Sequence, residues 1–267
     1  MSDAFTALVT GASSGIGEAT ARRLAREPGA ELILVARRKE RLERLAEQLG
    51  DVTVIAVDLT EPDAPATVRD AVESRHGRLH LLVNNAGASW RGRFGDVGWA
   101  NLERHLKLNL EAPARLTEAL LPLLRQTAET SSRRVSIVNV ASTSARVSRP
   151  AAGAYSASKF ALAGWSDALY AEELPNGVHV GLVLPGFIAT EGFPATELRA
   201  RALTRWIVST PERVAEAIVD AGPGGKPERY VPRPYWLAAA LRILAPRLVR
   251  RATSGGAFTT ATGTPDE

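Results

Sequence analysis

Tyr155 and Lys159 stand four residues apart in the run Tyr155-Ser156-Ala157-Ser158-Lys159. On a helix that step puts both side chains on one face, one turn from each other. A free tyrosine, with a pKa of about 10, is a poor acid or base at neutral pH. An ammonium one turn away favours the phenolate and lowers that pKa, which makes the phenol a usable general acid/base. The chain writes its positive charge almost wholly as arginine: of 33 Lys+Arg, only Lys39, Lys107, Lys159 and Lys226 are lysines. A lysine at 159 therefore carries weight, because lysine titrates and arginine is effectively never deprotonated.

A second signal lies near the N-terminus. Residues 5–10 (FTALVT) read as a short buried strand, and Gly11-Ala12-Ser13-Ser14-Gly15-Ile16-Gly17 follows. A helical pattern then runs from about 18 to 27. Strand, glycine-rich turn and helix form the context of a dinucleotide-phosphate site. Glycines let backbone approach a pyrophosphate, and the helix N-terminus supplies N–H groups and positive dipole. The spacing is GxxxGxG rather than the more familiar GxGxxG.

These groups need a scaffold. Apolar runs alternate with helical patterns, which predicts a doubly wound parallel sheet of about seven strands flanked by helices. Strands are expected near 5–10, 31–36, 52–57, 79–84, 134–141, 178–184 and 228–231. They are rich in Val, Ile, Leu and Ala without clean alternation, as strands covered on both faces are. Helices are expected near 16–27, 38–49, 63–76, 98–125, 154–174 and 211–221, with a polar surface loop at 126–134. Right-handed crossovers then bring Gly11, Asp58, Asn84, Ser142 and Pro185 to one sheet edge, where ligands bind in open α/β sheets.

With both motifs in hand, the chain resembles the short-chain dehydrogenase/reductase family, in its TGxxxGxG and YxxxK branch. The likeness runs from about residue 5 to about 231 and includes Asp58-Leu59, Asn84-Asn85-Ala86-Gly87, Asn109, and Pro185-Gly186 with Thr190. It implies a single Rossmann-type catalytic domain over 1–232. It also implies that Ser142, thirteen residues before Tyr155, hydrogen-bonds the substrate carbonyl oxygen; Ser144 is a neighbour at the wrong spacing. Tyr155 would give its proton to that oxygen in reduction or take it in oxidation. Lys159 would lower the tyrosine pKa and hold the nicotinamide ribose. Asn109 would kink its helix and hold a water linking Lys159 to solvent. The cofactor-binding set implied is Gly11, Ser13, Ser14, Gly15, Ile16, Gly17, Arg37, Arg38, Asp58, Leu59, Asn85, Ala86, Gly87, Tyr155, Lys159, Pro185, Gly186, Ile188 and Thr190. Asp58 would meet the adenine and Thr190 the carboxamide. The four-residue Tyr–Lys step suits ketone/alcohol interconversion rather than enoyl reduction, where the resemblance would place the lysine farther away.

The second strand ends in Arg37-Arg38, with no acid. An acid there would bond the ribose hydroxyls of NAD, whereas a basic residue meets the 2′-phosphate of NADP. NADP(H) is expected over NAD(H), with Ser13 adding a hydroxyl. For substrate, the segment after Pro185 resembles the family's lid. Phe187, Ile188, Phe193, Pro194, Leu203 and Trp206 would line it, Phe187 and Phe193 against substrate, favouring a lipophilic ketone, aldehyde or alcohol. Small Val147, Ala151 and Ala152 leave room before Tyr155.

Composition bounds the rest. With 267 residues the chain has length for one α/β domain and a sizeable core. Zero cysteines exclude disulfides and thiolate chemistry. His76, His80, His105 and His179 show no ligand spacing, so structural or surface roles are expected and no metal. No signal peptide or membrane span is expected, and a cytoplasmic protein is the default. The net charge is +4, but seven basic residues against Glu228 within 226–251 give that segment +6, and Asp266 and Glu267 bring −2. Residues 1–225 are neutral overall, so nucleic acid is not an expected partner.

The basic stretch belongs to an appendage at 233–252, followed by a loose Gly/Thr/Ala-rich tail at 253–267. Within 234–251, Leu237, Leu241, Leu244 and Leu248 share one helical face, arginines gather on the other, and Pro246 kinks or breaks the helix. Those leucines are expected to pack on the body or across a subunit interface of a homo-dimer or homo-tetramer. The alternative is peripheral contact with an anionic membrane. Two rival functions stand beside the enzyme: a catalytically silent dinucleotide sensor, and a membrane-surface interaction protein on the same fold. A sensor would be betrayed by a missing Ser, Tyr or Lys, and all three are present.

Overall fold

The computed structural model of the chain describes residues 4–191 and 208–254. The expectations placed on Phe193, Pro194, Leu203, Trp206 and most of the tail lie outside them. The first half alternates β1 (Phe5–Thr10), α1 (Gly15–Leu24), β2 (Ala30–Ala36), α2 (Lys39–Leu49), β3 (Val52–Ala56), α3 (Ala64–His76) and β4 (Leu81–Asn84). Then come α4 (Phe94–Leu106), a π-turn at Lys107–Glu111, α5 (Ala112–Thr130), β5 (Val135–Val140), a 3-10 turn at Thr143–Ala145 and α6 (Gly153–Glu173). β6 (Val178–Pro185), β7 (Phe187–Ile188), β8 (Val208–Ser209), α7 (Pro211–Ala221) and β9 (Glu228–Val231) follow, and α8 (Tyr235–Leu244) and α9 (Pro246–Ser254) end the described chain.

Seven strands pair in parallel in the order β3-β2-β1-β4-β5-β6-β9. The order reverses between β1 and β4, which opens a crevice at the strand C-termini. Every residue of β1 and β5 is buried, because helices cover both faces. One face packs Val9, Leu34 and Val83 against α1 and α7 (Leu24, Val214, Ile218). The other packs Leu8, Ile33 and Ile137 against α3 and α5 (Val68, Val72, Leu116, Leu120).

Two helical expectations need correction. The helix expected at 98–125 starts earlier, at Phe94, with a non-helical Gly98 (φ 59°), and it carries the π-turn in its middle. The loop expected at 126–134 is helical as far as Thr130. Thr127 explains this: it is buried, donates to the Leu123 carbonyl (2.7 Å), and accepts from the Leu79 amide (3.0 Å). A threonine read as a surface residue thus closes the backbone at the entry to β4. The short β7–β8 pair was not expected.

The appendage breaks in two, as Pro246 foretold: α8 ends, Ala245 leaves helical geometry, and proline opens α9. The leucine face does not pack on the body. Leu237, Leu241, Leu244 and Leu248 are exposed, with Trp236 and Ile243, and Leu244 reaches 82%. Ala239 and Val249 are the buried residues of this pair of helices. Small side chains let the helices lie close, and the large ones are left facing away.

Candidate active site

The site grows from the ends of β1, β4, β5 and β6. At the β1 end, Gly11 (φ 66°) and Gly15 (φ 57°) sit in left-handed geometry that favours glycine. A Cβ on Gly17 would collide with the Gly11 carbonyl oxygen, so the loop closes on itself only with glycine. Thr10 stitches it to the β4 end. Its hydroxyl donates to Val83 O (3.1 Å) and accepts from the amides of Asn85 and Ala86 (both 2.9 Å). Asn85 Nδ2 returns to the Thr10 carbonyl (2.9 Å). Ile16 packs on the core beneath, and Thr190 comes against Gly15. The result is a backbone cradle at the N-terminus of α1.

The two arginines at the end of β2 separate. Arg38 folds back over the cradle: its Nη2 donates to Ser13 Oγ (3.0 Å) and Ser14 Oγ (2.7 Å), and its Nε to Ser13 Oγ (3.2 Å). Arg37 turns to Asp58 (3.5 Å) and remains largely exposed. Asp58 also accepts from the Thr60 amide (2.9 Å) and hydroxyl (2.8 Å). Burial opposes its charge, but these bonds and Arg37 hold the carboxyl below its ordinary value. Leu59 beside it is buried in the core.

Asn109 occupies the π-turn, so the expected irregularity of its helix is present. Its buried amide donates to Ala88 O and Ser158 Oγ (both 3.0 Å) and accepts from Ala88 N (3.0 Å). A Cβ on Gly87 would meet Asn109 Oδ1 at 2.9 Å and Lys159 Nζ at 3.4 Å. A glycine is needed for the 85–88 loop to pass this close.

Ser142 follows β5 in extended backbone. Its Oγ accepts from the Ser144 amide (3.1 Å) and donates to the Pro185 carbonyl (3.4 Å). Ser144 thus orients the Ser142 hydroxyl through its backbone amide. Gly186 N donates to Val231 O (2.8 Å), and a Cβ on Gly186 would collide with the ring of Tyr235. Ile188 is buried and Phe187 half-buried.

Tyr155 and Lys159 share the inner face of α6 as expected, but their electrostatics differ from the expectation. Lys159 is buried and donates to Val140 O (2.9 Å), and its Nζ lies 6.0 Å from the Tyr155 ring centroid. Burial lowers the ammonium pKa to about 8. Burial raises the Tyr155 pKa; bonding to Ser142, then the charges of Arg149 and Arg91, pull against it without reversing it. The net shift is upward because desolvation outweighs the groups that favour the phenolate, and the ammonium one turn away is itself engaged with the Val140 carbonyl. At neutral pH the phenol keeps its proton and the lysine its charge.

Sequence reasoning missed three residues of this site. His105, fully buried, presents its ring to Tyr155 (centroids 6.1 Å) and to Trp90 (5.0 Å). Nε2 accepts from the Trp90 amide (3.0 Å) and Nδ1 faces Asn101 O (2.7 Å), which fixes a neutral tautomer. Burial lowers its pKa further below the ordinary value. Its place four residues before Asn109 on the helical repeat was the available signal. Arg149 stacks on Phe187 (4.7 Å to the centroid), and Arg91 acts on both Arg149 and Tyr155. No sequence motif marks these two.

A parallel doubly wound sheet carrying a serine, a tyrosine and a lysine beside a glycine cradle defines a class of dinucleotide-fold oxidoreductases. Comparison with known proteins agrees. A family model described as short chain dehydrogenase matches residues 5–199. "Dehydrogenase/reductase SDR family member 7B" of Danio rerio is 32% identical over 193 residues, 68% of this chain and 60% of that protein, so the chain spans less than two thirds of that relative. A short-chain dehydrogenase from Streptomyces avermitilis superposes with a TM-score of 0.76 at 29% identity, covering 96% of this chain and 100% of that one. The Pseudomonas aeruginosa RhlG/NADP active-site complex gives 0.75 at 28% identity over 85% and 93%. The chain belongs to the short-chain dehydrogenase/reductase family.

Proposed function

We propose that this chain is an NADP(H)-dependent oxidoreductase that interconverts a ketone or aldehyde with an alcohol. The observation that carries this is the Tyr155 phenol, kept protonated by burial, facing Ser142 and one helical turn from the buried charge of Lys159. The dinucleotide fits the residues present. The 11–17 loop is a cradle that a single Cβ at Gly17 would fill, and Arg38 with Ser13 and Ser14 forms a cationic, hydroxyl-lined patch at the β2 end. Gly11, Ser14, Gly15, Ile16 and Gly17 would hold the pyrophosphate, and Arg38 with Ser13 the 2′-phosphate. Asp58, Leu59 and Arg37 would border the adenine. Asn85, Ala86, Gly87, Lys159, Pro185, Gly186, Ile188 and Thr190 would frame the nicotinamide half. NADPH, when bound, supplies the hydride.

The chain's own residues then manage a proton. Ser142 offers a hydroxyl to the substrate oxygen, where negative charge develops. Tyr155 donates its proton to that oxygen in reduction and takes it back in oxidation. Lys159, charged below about pH 8, stabilises the phenolate left behind. Asn109 holds the Gly87–Ala88 turn and, in this reading, carries the water that links Lys159 to solvent. The cheap test is turnover of a panel of ketones and alcohols with NADPH and NADH. NADPH is expected to win by about 100-fold, the worth of a charge-assisted contact. A preference for NADH would overturn the cofactor assignment.

Residues 1–232 make the catalytic unit of this proposal, 233–252 a basic appendage and 253–267 a tail. Phe187 and Ile188 favour a substrate with a lipophilic body. Membrane contact of a cytoplasmic protein gains support from α8 and α9. Exposed Trp236, Leu241, Ile243 and Leu244 stand among Arg233, Arg242, Arg247, Arg250 and Arg251. No helix among the described residues is long and apolar enough to cross a membrane. Flotation with anionic vesicles is expected to carry the full chain but not one ending at 233. Equal flotation of both would refute the contact, and a concentration-dependent dimer or tetramer lost with the same truncation would assign the face to a second copy.

A further inference from the structure

Several arginines in this fold are answered by acids. Arg146 pairs with Glu228 (2.8 Å), Arg125 with Glu173 (2.6 Å), Arg78 with Glu31 (2.9 Å) and Arg23 with Glu27 (2.6 Å). Arg149, three residues beyond Arg146, is different. It is half-buried, and no carboxylate among the described residues pairs with it. Its guanidinium lies over the Phe187 ring at 4.7 Å. Burial lowers its pKa, and the nearby charge of Arg91 adds to that, with the rings of Tyr235 and Tyr155 also in range. A guanidinium stays charged under such pressure. Two like charges therefore converge in a partly dry setting on the same side as the catalytic phenol.

The backbone holds them there. Arg91 lies in the loop that leaves β4, and Arg149 lies in the loop that enters α6. The two loops are tied by Gly92 N donating to Ala151 O (2.9 Å). Ala151 takes a positive φ of 60°, unusual for a residue with a Cβ. From below, Phe187 follows Gly186, which packs on the ring of Tyr235. Arg104 stacks on Trp90 next door (3.8 Å) and so points its own charge at a ring. A half-buried guanidinium with no carboxylate against it among the described residues costs free energy that an arriving anion would offset.

We propose that Arg149, with Arg91 beside it, forms an anion subsite next to Ser142 and Tyr155, and that the carbonyl substrate carries a carboxylate. This rests on the carbonyl-reduction reading and refines its lipophilic substrate into an amphiphilic one: an apolar body on Phe187, and an acid group at the arginines. Arg149 is a specificity-determining residue, and its aromatic seat fixes the fork for a bidentate grip.

The test uses a ladder of (ω−1)-oxo acids, each a methyl ketone, from 4-oxopentanoate to 7-oxooctanoate, each beside its own methyl ester. The ladder spans the unknown distance between carbonyl and acid. For the full chain with NADPH, at least one acid is expected to exceed its ester in kcat/KM by about 10–100-fold. In Arg149→Ala that ratio collapses towards one, and Arg149→Lys restores part of it. Esters preferred throughout, or a ratio unmoved by Arg149→Ala, would overturn the subsite. Calorimetric titration of the same acids into wild type and Arg149→Ala separates the two readings. Acid binding that depends on Arg149 without any reduction would sustain the subsite and sink the carbonyl chemistry, whereas reduction without acid preference would do the reverse.

Discussion

Along the C-terminal edge of the sheet, the side around β1 and β2 is held by backbone and small polar groups. The side around β5 and α6 is built from large ionisable side chains in a dry setting. On the first, Thr10 bonds Asn85 and the Val83 carbonyl beside the glycines of the 11–17 loop, and Arg38 sits on two serine hydroxyls. On the second, Tyr155, Lys159, His105 and Arg149 all have pKa values displaced by burial. The first side is a matter of shape, and the second of electrostatics. Damage to the first should show in cofactor affinity, and damage to the second in turnover and in pH dependence.

Lys159→Met strains the contrast most. Turnover should fall by about 100-fold or more, since the phenolate loses its counter-charge. Stability should move the other way. A lysine whose folded pKa is near 8 and whose ordinary value is 10.5 binds its proton more weakly when folded. Below pH 8 its charged burial costs about 3 kcal/mol, and that cost fades as pH rises from 8 towards 10.5. Losing the bond to Val140 returns about 1 kcal/mol of the gain. Thermal melts at pH 7 should therefore place the variant several degrees above wild type. A lower Tm would mean that Lys159 is not desolvated as described.

Arg38→Glu probes the shape side. The ratio of kcat/KM for NADPH over NADH should fall by roughly 100-fold, mostly through KM, with little change in kcat for NADH. An unchanged ratio, read in the same assay, would move the phosphate contact to Arg37. The smallest effect belongs to His105. Its lowered pKa means that the unfolded chain binds a proton first as pH falls through about 6.5, so native stability declines below that value. His105→Gln should flatten the fall in Tm between pH 7.5 and pH 5 by a degree or two. His179, also lowered by burial, leaves a remainder in the variant. A curve identical to wild type would remove His105 from the account of the Tyr155 wall.

This contrast also explains what was legible in the sequence. The cradle could be read because its backbone demands glycine at set places along one strand–loop–helix. Tyr155 and Lys159 could be read because one helix fixes their spacing. Arg149 and Arg91 come from two loops and Tyr235 from the start of α8, which only the closed sheet brings together, so no spacing betrays them. The depression expected for Tyr155 failed because proximity along a helix says nothing about where the ammonium points or how dry its surroundings are. Thr127 misled for a related reason: a polar residue can face inward when a backbone amide such as Leu79 needs an acceptor. For α8 and α9, periodicity gave the leucine face, but only the fold showed that the body leaves it uncovered.

The central claim is that Tyr155 delivers the proton from a site that binds its cofactor independently. Tyr155→Phe tests it, with NADPH affinity measured by fluorescence titration and turnover measured on the best carbonyl substrate. The account predicts an NADPH affinity within about threefold of wild type and a kcat lower by at least about 1,000-fold. A variant that kept most of its kcat would contradict it.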